Sequence, residues 1–214
     1  MLSLSLFCSS QTISVALYDR RILKKFLYKK INNTGIESIF KLIRNCFEGE
    51  NIKGLSNIFF SNGPGSFTAL RTIRSIVEAL SLSTKAKVFS VSSFVPLLLS
   101  RKDYFPNSIV CLKSLKGKSF FQLYKKKGKV FSKESIVFLD NLKEVEKFYL
   151  ANEKKIKELG LITNDKKNLE ILNKKIKNVF FYPLSAKKIA EVCFLGYGSR
   201  NLDIIYHSSY YEKY

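Results

Sequence analysis

Within its first hundred residues the chain switches twice from a two-residue period to a helical one, and a layered α/β arrangement is what accommodates that order. Three β-like runs come first: Leu2–Cys8, Thr12–Tyr18 and Leu23–Tyr28. Asp19-Arg20-Arg21 is placed as a hairpin turn between the last two. Helical spacing follows, with Ile36, Ile39, Phe40, Ile43 and Phe47 on one stripe and Glu37, Lys41 and Arg44 on other faces; Gly49 lies just past its end. Asn57–Ser61 predicts a short buried strand. Gly63-Pro64-Gly65 then breaks the chain sharply, and a second helix is expected from Ser66 to about Ser83. Its stripe is Leu70, Ile73, Val77 and Leu80, widened by Ala69, Ile76 and Ala79, while Arg71, Arg74, Glu78 and Ser81 fill the rest. An arc that wide can touch more than one apolar neighbour. Lys87–Val91 predicts another strand, and Ser92 or Ser93 caps a short apolar helix through Leu99.

Arg101–Asn107, with Pro106, reads as a boundary, and beyond it the pattern restarts. Strands are expected at Ile109–Lys113, Ser119–Tyr124, Val130–Phe138, Glu158–Thr163 and Val179–Tyr182. Helices are expected at Leu142–Ala151, near Lys166–Lys175, and from Pro183 through about Gly196. The second half is thus a degraded echo of the first, which predicts two similar α/β lobes, each a mixed β-sheet with flanking helices. The expected division is 1–103 and 104–214, with the last helix able to return to the first lobe. The tail Arg200–Tyr214 is aromatic and irregular.

Composition narrows the chemistry. No window is long and apolar enough for a membrane span, and the apolar start lacks a basic leader and is broken by Ser3, Ser5, Ser9, Ser10, Gln11 and Thr12, so a cytoplasmic protein is expected. Cys8, Cys46, Cys111 and Cys193 are scattered, and His207 is the only histidine. Neither a zinc site nor a thiol redox pair is built from such a set. The net charge is +20. An excess of this size points to a polyanion such as RNA. An AT-rich coding sequence offers a second explanation, since Lys, Ile, Asn, Phe and Tyr are abundant and Trp is absent. The charge is also spread evenly: 15 basic against 6 acidic side chains up to residue 107, and 22 against 11 beyond. The run Lys125-Lys126-Lys127 falls at an expected hairpin turn, open to solvent or to a tRNA backbone.

The stretch Gly63-Pro64-Gly65-Ser66-Phe67-Thr68 reads physically as strand, glycine turn and capped helix. Gly63 and Gly65 admit backbone angles closed to other residues, and Ser66 can accept from an N–H of the first helical turn. A plain connection and an anion site at the helix start both fit. A Walker A loop does not, because no Lys-Ser or Lys-Thr follows the glycines.

The string from Gly63 to Arg71, Gly-Pro-Gly-Ser-Phe-Thr-Ala-Leu-Arg, resembles the GPGSFTGLR signature of the TsaB (YeaZ) proteins, with Ala69 in place of its last glycine. Ser14-Val15-Ala16-Leu17 is similar to that family's second strand, and Ser90-Val91-Ser92-Ser93-Phe94 to its gVSsL segment. Pro183, Ala186 and Tyr210-Tyr211 resemble its closing part. The match is specific over residues 1–100, faint from 101 to 180 and partial thereafter. The resemblance implies the two-lobed ASKHA (actin-like, ribonuclease H-like) fold with a degenerate second lobe. It implies a scaffold without catalytic residues, which pairs with the related transferase TsaD. TsaD places threonylcarbamoyl on adenosine 37 of tRNAs that read ANN codons, and the ATPase TsaE completes the assembly. On this implication the chain alone binds no cofactor, ATP or ADP belongs to the complex, tRNA is met indirectly, and a homodimer is the alternative pairing. The partner surface would be the first two helices, through Ile36, Ile39, Phe40, Ile43, Phe47, Ala69, Leu70, Ile73, Arg74, Ile76, Val77 and Leu80.

The sequence departs from active ASKHA proteins where their carboxylates act. The first strand of such proteins ends in an aspartate, and here Phe7-Cys8-Ser9 stands at that place. The family's Asp-Ala-Arg segment in the second lobe falls near Lys113-Ser114-Leu115. Phenylalanine neither binds magnesium nor orients water. A phosphotransferase is therefore the disfavoured reading, a metallopeptidase is disfavoured because one histidine supplies no His-Glu-x-x-His set, and an RNA-binding module rests on charge alone, with no RNP or KH pattern. Cys8, at a buried strand end with no histidine nearby in sequence, is expected to be a core thiol.

Overall fold

Leucine and serine alternate through the first strand, Leu2-Ser3-Leu4-Ser5-Leu6, and all five are buried. A strand covered on both faces belongs mid-sheet. In the computed structural model, which describes residues 1–9, 11–31, 37–100, 105–128 and 130–205, β1 (Leu2–Cys8) is antiparallel to β2 (Thr12–Asp19) and parallel to β4 (Leu55–Ser61). With β3 (Ile22–Lys30) and β5 (Lys87–Val91) the order is β3-β2-β1-β4-β5. The β2–β3 turn holds Arg20 and Arg21 at φ of 46° and 71°, the left-handed pair a tight hairpin requires. Helix α1 (Glu37–Cys46) lies on β2 and β3, and α2 (Phe67–Thr84) is the crossover between the parallel strands β4 and β5. A short helix, α3 (Val95–Leu99), follows β5.

The second half repeats this plan. β6 (Asn107–Lys113) is antiparallel to β7 (Lys118–Lys127) and parallel to β10 (Leu159–Thr163), which is parallel to β11 (Val179–Phe181). Helices α4 (Leu142–Glu153) and α5 (Lys166–Leu172) stand where α1 and α2 stand in the first half. The edge expected as one strand, Val130–Phe138, is two: β8 (Val130–Lys133) and β9 (Phe138–Asn141) share one side of β7. The break lies at Ser135, whose hydroxyl accepts the Leu123 N–H at 3.0 Å and whose carbonyl accepts the Gln122 amide at 2.6 Å. Side-chain and loop bonds replace the ladder there. Lys125–Lys127 lie inside β7 rather than in the turn, which instead uses Gly128 at φ 62°.

One compact unit comprises Met1–Pro96 with the segment from Leu184 to the last described residue, Ile205; the other is Leu97–Pro183. The chain changes unit inside α3, earlier than the expected 103/104 division. The last helix, α6 (Ala186–Phe194), lies on β1, β2, β4 and β5. Each serine side of the first strands serves it: the Ser5 hydroxyl donates to the Ala186 carbonyl at 2.7 Å, and the Ser14 hydroxyl accepts the Ala186 N–H at 2.8 Å. Buried hydroxyls need such partners. The leucine side of β1 meets Ile39, Ile43, Ile73 and Val77 from α1 and α2.

Candidate functional site at the Gly-Pro-Gly loop

The loop after β4 is fixed by its own backbone and by the end of the chain. Gly63 has φ of 107°, and a Cβ there would come within 3.0 Å of the Ile205 carbonyl and of Leu70. Only glycine fits. Gly65 has no such angle and meets Leu70 at ordinary contact distance. The Gly63–Pro64 peptide is cis. The Ser93 N–H donates to the Gly63 carbonyl at 2.7 Å, and the Ser61 and Ser93 hydroxyls share a bond of 2.6 Å. Asn62 anchors the tail: its carbonyl accepts the Ile205 N–H at 2.8 Å and its amide donates to the Asp203 carbonyl at 2.9 Å. Ser199 bridges Ser90 with two backbone bonds of 2.8 Å, and the Ser90 hydroxyl donates to the Asn201 carbonyl. The described part of the tail expected to be irregular, residues 200–205, runs with Ser199 as a strap over this loop. The strap contributes only backbone groups to these bonds, so no side-chain pattern in the tail announced them.

Ser66 takes the N-cap position of α2, yet its hydroxyl makes no capping bond, contrary to the sequence expectation. Pro64 is buried, Phe67 is half-buried, and Thr68 and Arg71 are exposed; the Arg71 guanidinium lies over the Phe67 ring at 4.2 Å. The signature residues therefore form a rigid turn with a cation–aromatic pair at its outer edge, rather than a phosphate cradle built from side chains.

The helical stripes correct the expected partner surface. Ile39, Ile43 and Phe47, with Ala69, Leu70, Ile73, Ile76 and Val77, are buried within the first lobe. Ile39, Ile43, Phe47, Ile73, Ile76 and Val77 pack into the core against the lobe's own sheet, with Ile43 and Phe47 also lining a surface cleft beside Phe40, and Leu70 packs on the Gly63 loop. Ile36 lies outside the described residues. Of the expected set, Phe40 is 59% exposed, and Arg74 and Leu80 are half-buried. Arg74 is tied to Glu78 by an ion pair of 2.8 Å. Ala79 and Leu82 also stand outside, the latter 85% exposed. The apolar arc was broad because an α/β helix needs three to four buried positions per two turns. The exposed residues of this region include Phe40 on α1, and Arg71, Ala79 and Leu82 on α2.

At the end of β1 Phe7 is buried, and the Cys8 thiol is pushed up to about 12 by burial. At the end of β6 the Lys113 ammonium donates to Asp165 at 2.8 Å. The other Asp165 oxygen caps α5 by accepting the Asn168 N–H at 2.9 Å. Sequence reading passed over Asp165, although Asn164-Asp165 before a helical run is a capping signal. This carboxylate is committed to a cation and a cap. Among the described residues no group of three or more His, Cys, Asp or Glu side chains is arranged to hold a metal ion. His207 and Tyr210-Tyr211 lie outside the described residues.

Against this geometry, comparison with known proteins is decisive. A family model described as TsaD, tRNA N6-adenosine threonylcarbamoyltransferase, matches residues 32–207. The chain belongs to this family. It is 29% identical over 207 residues to the tRNA threonylcarbamoyladenosine biosynthesis protein TsaB of Buchnera aphidicola subsp. Acyrthosiphon pisum (strain APS), covering 92% of this chain and 90% of that protein. The similarity to TsaB thus runs through the second lobe, beyond the first hundred residues. Among solved structures, YeaZ from Pseudomonas aeruginosa superposes with a TM-score of 0.66 at 14% identity, covering 96% of this chain and all of that one. An uncharacterized protein with similarity to peptidase YEAZ from Pseudomonas aeruginosa gives 0.71 at 16% identity, covering 96% and 98%. The fold is the YeaZ fold, an actin-like pair of lobes built on two mixed sheets. No helix among the described residues is long and apolar enough to cross a membrane.

Proposed function

We propose that this chain is a non-catalytic scaffold in the formation of threonylcarbamoyladenosine in tRNA, acting in the cytoplasm by pairing with a TsaD-type transferase. The observation that carries the reading is the occupant of the first strand end: a TsaB-like chain has a buried phenylalanine, Phe7, where an actin-like enzyme needs a carboxylate. The matching strand end of the second lobe supports it, since Lys113 neutralises Asp165 there. The family model is that of a transferase, and the proposal assigns the transfer step to the partner. Any ATP or ADP is held with the partners, including a TsaE-type ATPase, rather than by this chain alone.

The docking surface in this proposal is the outer rim of α1 and α2, centred on Phe40. Mixing the purified chain with its cognate TsaD-type protein and measuring mass by light scattering tests the pairing. A heterodimer, with or without nucleotide, is the expected result. Two unassociated proteins under all nucleotide conditions would overturn it.

A further inference from the structure

On the α6 side of the first lobe, away from the helices assigned to the partner, Phe59, Phe89 and Phe194 line a cleft of about 290 Å³ with Arg21 and Asn57 at its wall. The rings are mutually braced: Phe59 and Phe194 meet edge to face at 5.1 Å, and Phe59 and Phe89 at 6.0 Å. Two exposed guanidinium groups lie over rings of the cleft, one of them, Arg21, also lining it. Arg21 lies 5.7 Å over Phe194, and Arg200 lies 5.2 Å over Phe89. These are two of only seven arginines in a chain whose basic side chains are otherwise lysine. AT-rich coding accounts for lysines; it does not account for two guanidinium groups placed over two rings of one cleft. The hairpin that presents Arg21 and the strap that presents Arg200 both hold their backbones by hydrogen bonds, at Asp19↔Ile22 and Ser90↔Ser199.

We propose that this cleft takes an unpaired base of RNA. A base has the flat π-face that continues a ring–guanidinium stack, and its phosphate meets the two arginine charges. Asn57 sits at the wall with an amide whose nitrogen donates to Ser3 Oγ at 3.2 Å; its carbonyl and second N–H present the donor–acceptor pair that reads a base edge. The net charge of +20 supplies the long-range attraction to RNA, and the cleft supplies a seat for it. The proposal gives the chain its own hold on the RNA substrate. It stands on this cleft and not on the pairing with a transferase, so its failure leaves that pairing untouched.

The experiment is anisotropy of a labelled tRNA, and of a labelled six-nucleotide unpaired RNA, titrated with the full chain at several salt concentrations. Arg21→Lys with Arg200→Lys keeps the charge and removes the planar stack; the expected result is a loss of affinity of about fivefold or more for both RNAs. Arg21→Ala with Arg200→Ala is expected to lose about tenfold or more and to lower the salt slope by roughly two. Lys125→Ala with Lys127→Ala removes the same charge from the other lobe and is expected to cost less than either. All four positions changed are exposed, and an unchanged circular dichroism spectrum and melting temperature report that each variant is folded. Three results would overturn the proposal: the Arg→Lys variant binding like the parent, the lysine pair costing as much as the arginine pair, or AMP alone binding as tightly as the unpaired RNA, which would make this a free-nucleotide site.

Discussion

At Gly63 two demands meet that no other side chain satisfies: a φ of 107° and a neighbour at 3.0 Å. The sequence shows the first demand, because Gly-Pro-Gly between an apolar strand and a helix is a turn by composition alone. It cannot show the second, because Ile205 comes from the far end of the chain. The thiols were equally legible in kind: scattered cysteines in apolar runs are core groups. Burial raises Cys8, Cys111 and Cys193 from the usual 9.0 to about 12 and Cys46 to about 11. Tyr18 rises from 10.0 to about 12, chiefly by burial and secondarily from Glu191. The folded state therefore keeps these protons where the unfolded chain releases them. Their contribution to stability is complete below the unfolded values near 9 and is lost as pH rises towards 12. Urea midpoints are expected to be flat between pH 7 and 8.5 and to fall progressively above pH 9. A midpoint that holds or rises between pH 9 and 11 would contradict this account of the buried thiols. On the same ground the native thiols are poor nucleophiles at neutral pH.

Helical period located α1 and α2 within one or two residues at each end, and it identified their apolar positions. It did not say what those positions touch. An amphipathic stripe looks the same whether it covers a sheet of its own lobe or a second protein, and here the sheet takes it, through Ile43 at 6% exposure and Ile73 at 2%. Phe40, which the period placed on the same stripe, turns outward instead, at 59% exposure, and the proposed docking rim is centred on it. Two substitutions on α1 separate the roles. Ile43→Asp puts a charge into the core and is expected to destabilise the first lobe by about 3 kcal/mol or more. Phe40→Asp is expected to leave the melting temperature within a few degrees of the parent while weakening the heterodimer about tenfold or more. An unaltered heterodimer with Phe40→Asp would remove this rim from the interface. The β8–β9 break shows the opposite limit. Ile136, Val137 and Phe138 continue an apolar run after Ser135, which reads as one unbroken strand, and only the bonds from Gln122 and Leu123 to Ser135 reveal the interruption.

The duplication is the feature of the whole molecule that the sequence displayed best, because each half repeats a strand meander followed by helix, strand, helix and strand. Sheet orders β3-β2-β1-β4-β5 and β8-β7-β6-β10-β11 are the same plan twice. The return of the last helix to the first lobe was expected from the chain order, but the covered serine face was not legible: Leu-Ser alternation in β1 reads as a half-buried strand, and only the structure shows Ser3 and Ser5 buried as well. The central claim is that this plan survives with its phosphate chemistry gone, leaving a protein that acts through another. The direct test is reconstituted transfer of threonylcarbamoyl to unmodified tRNA, measured as modified nucleoside released by digestion. The account predicts no product with this chain alone, little with the TsaD-type protein alone, and full transfer when the two are combined with the ATPase. Product formed by this chain in the absence of the transferase would contradict it.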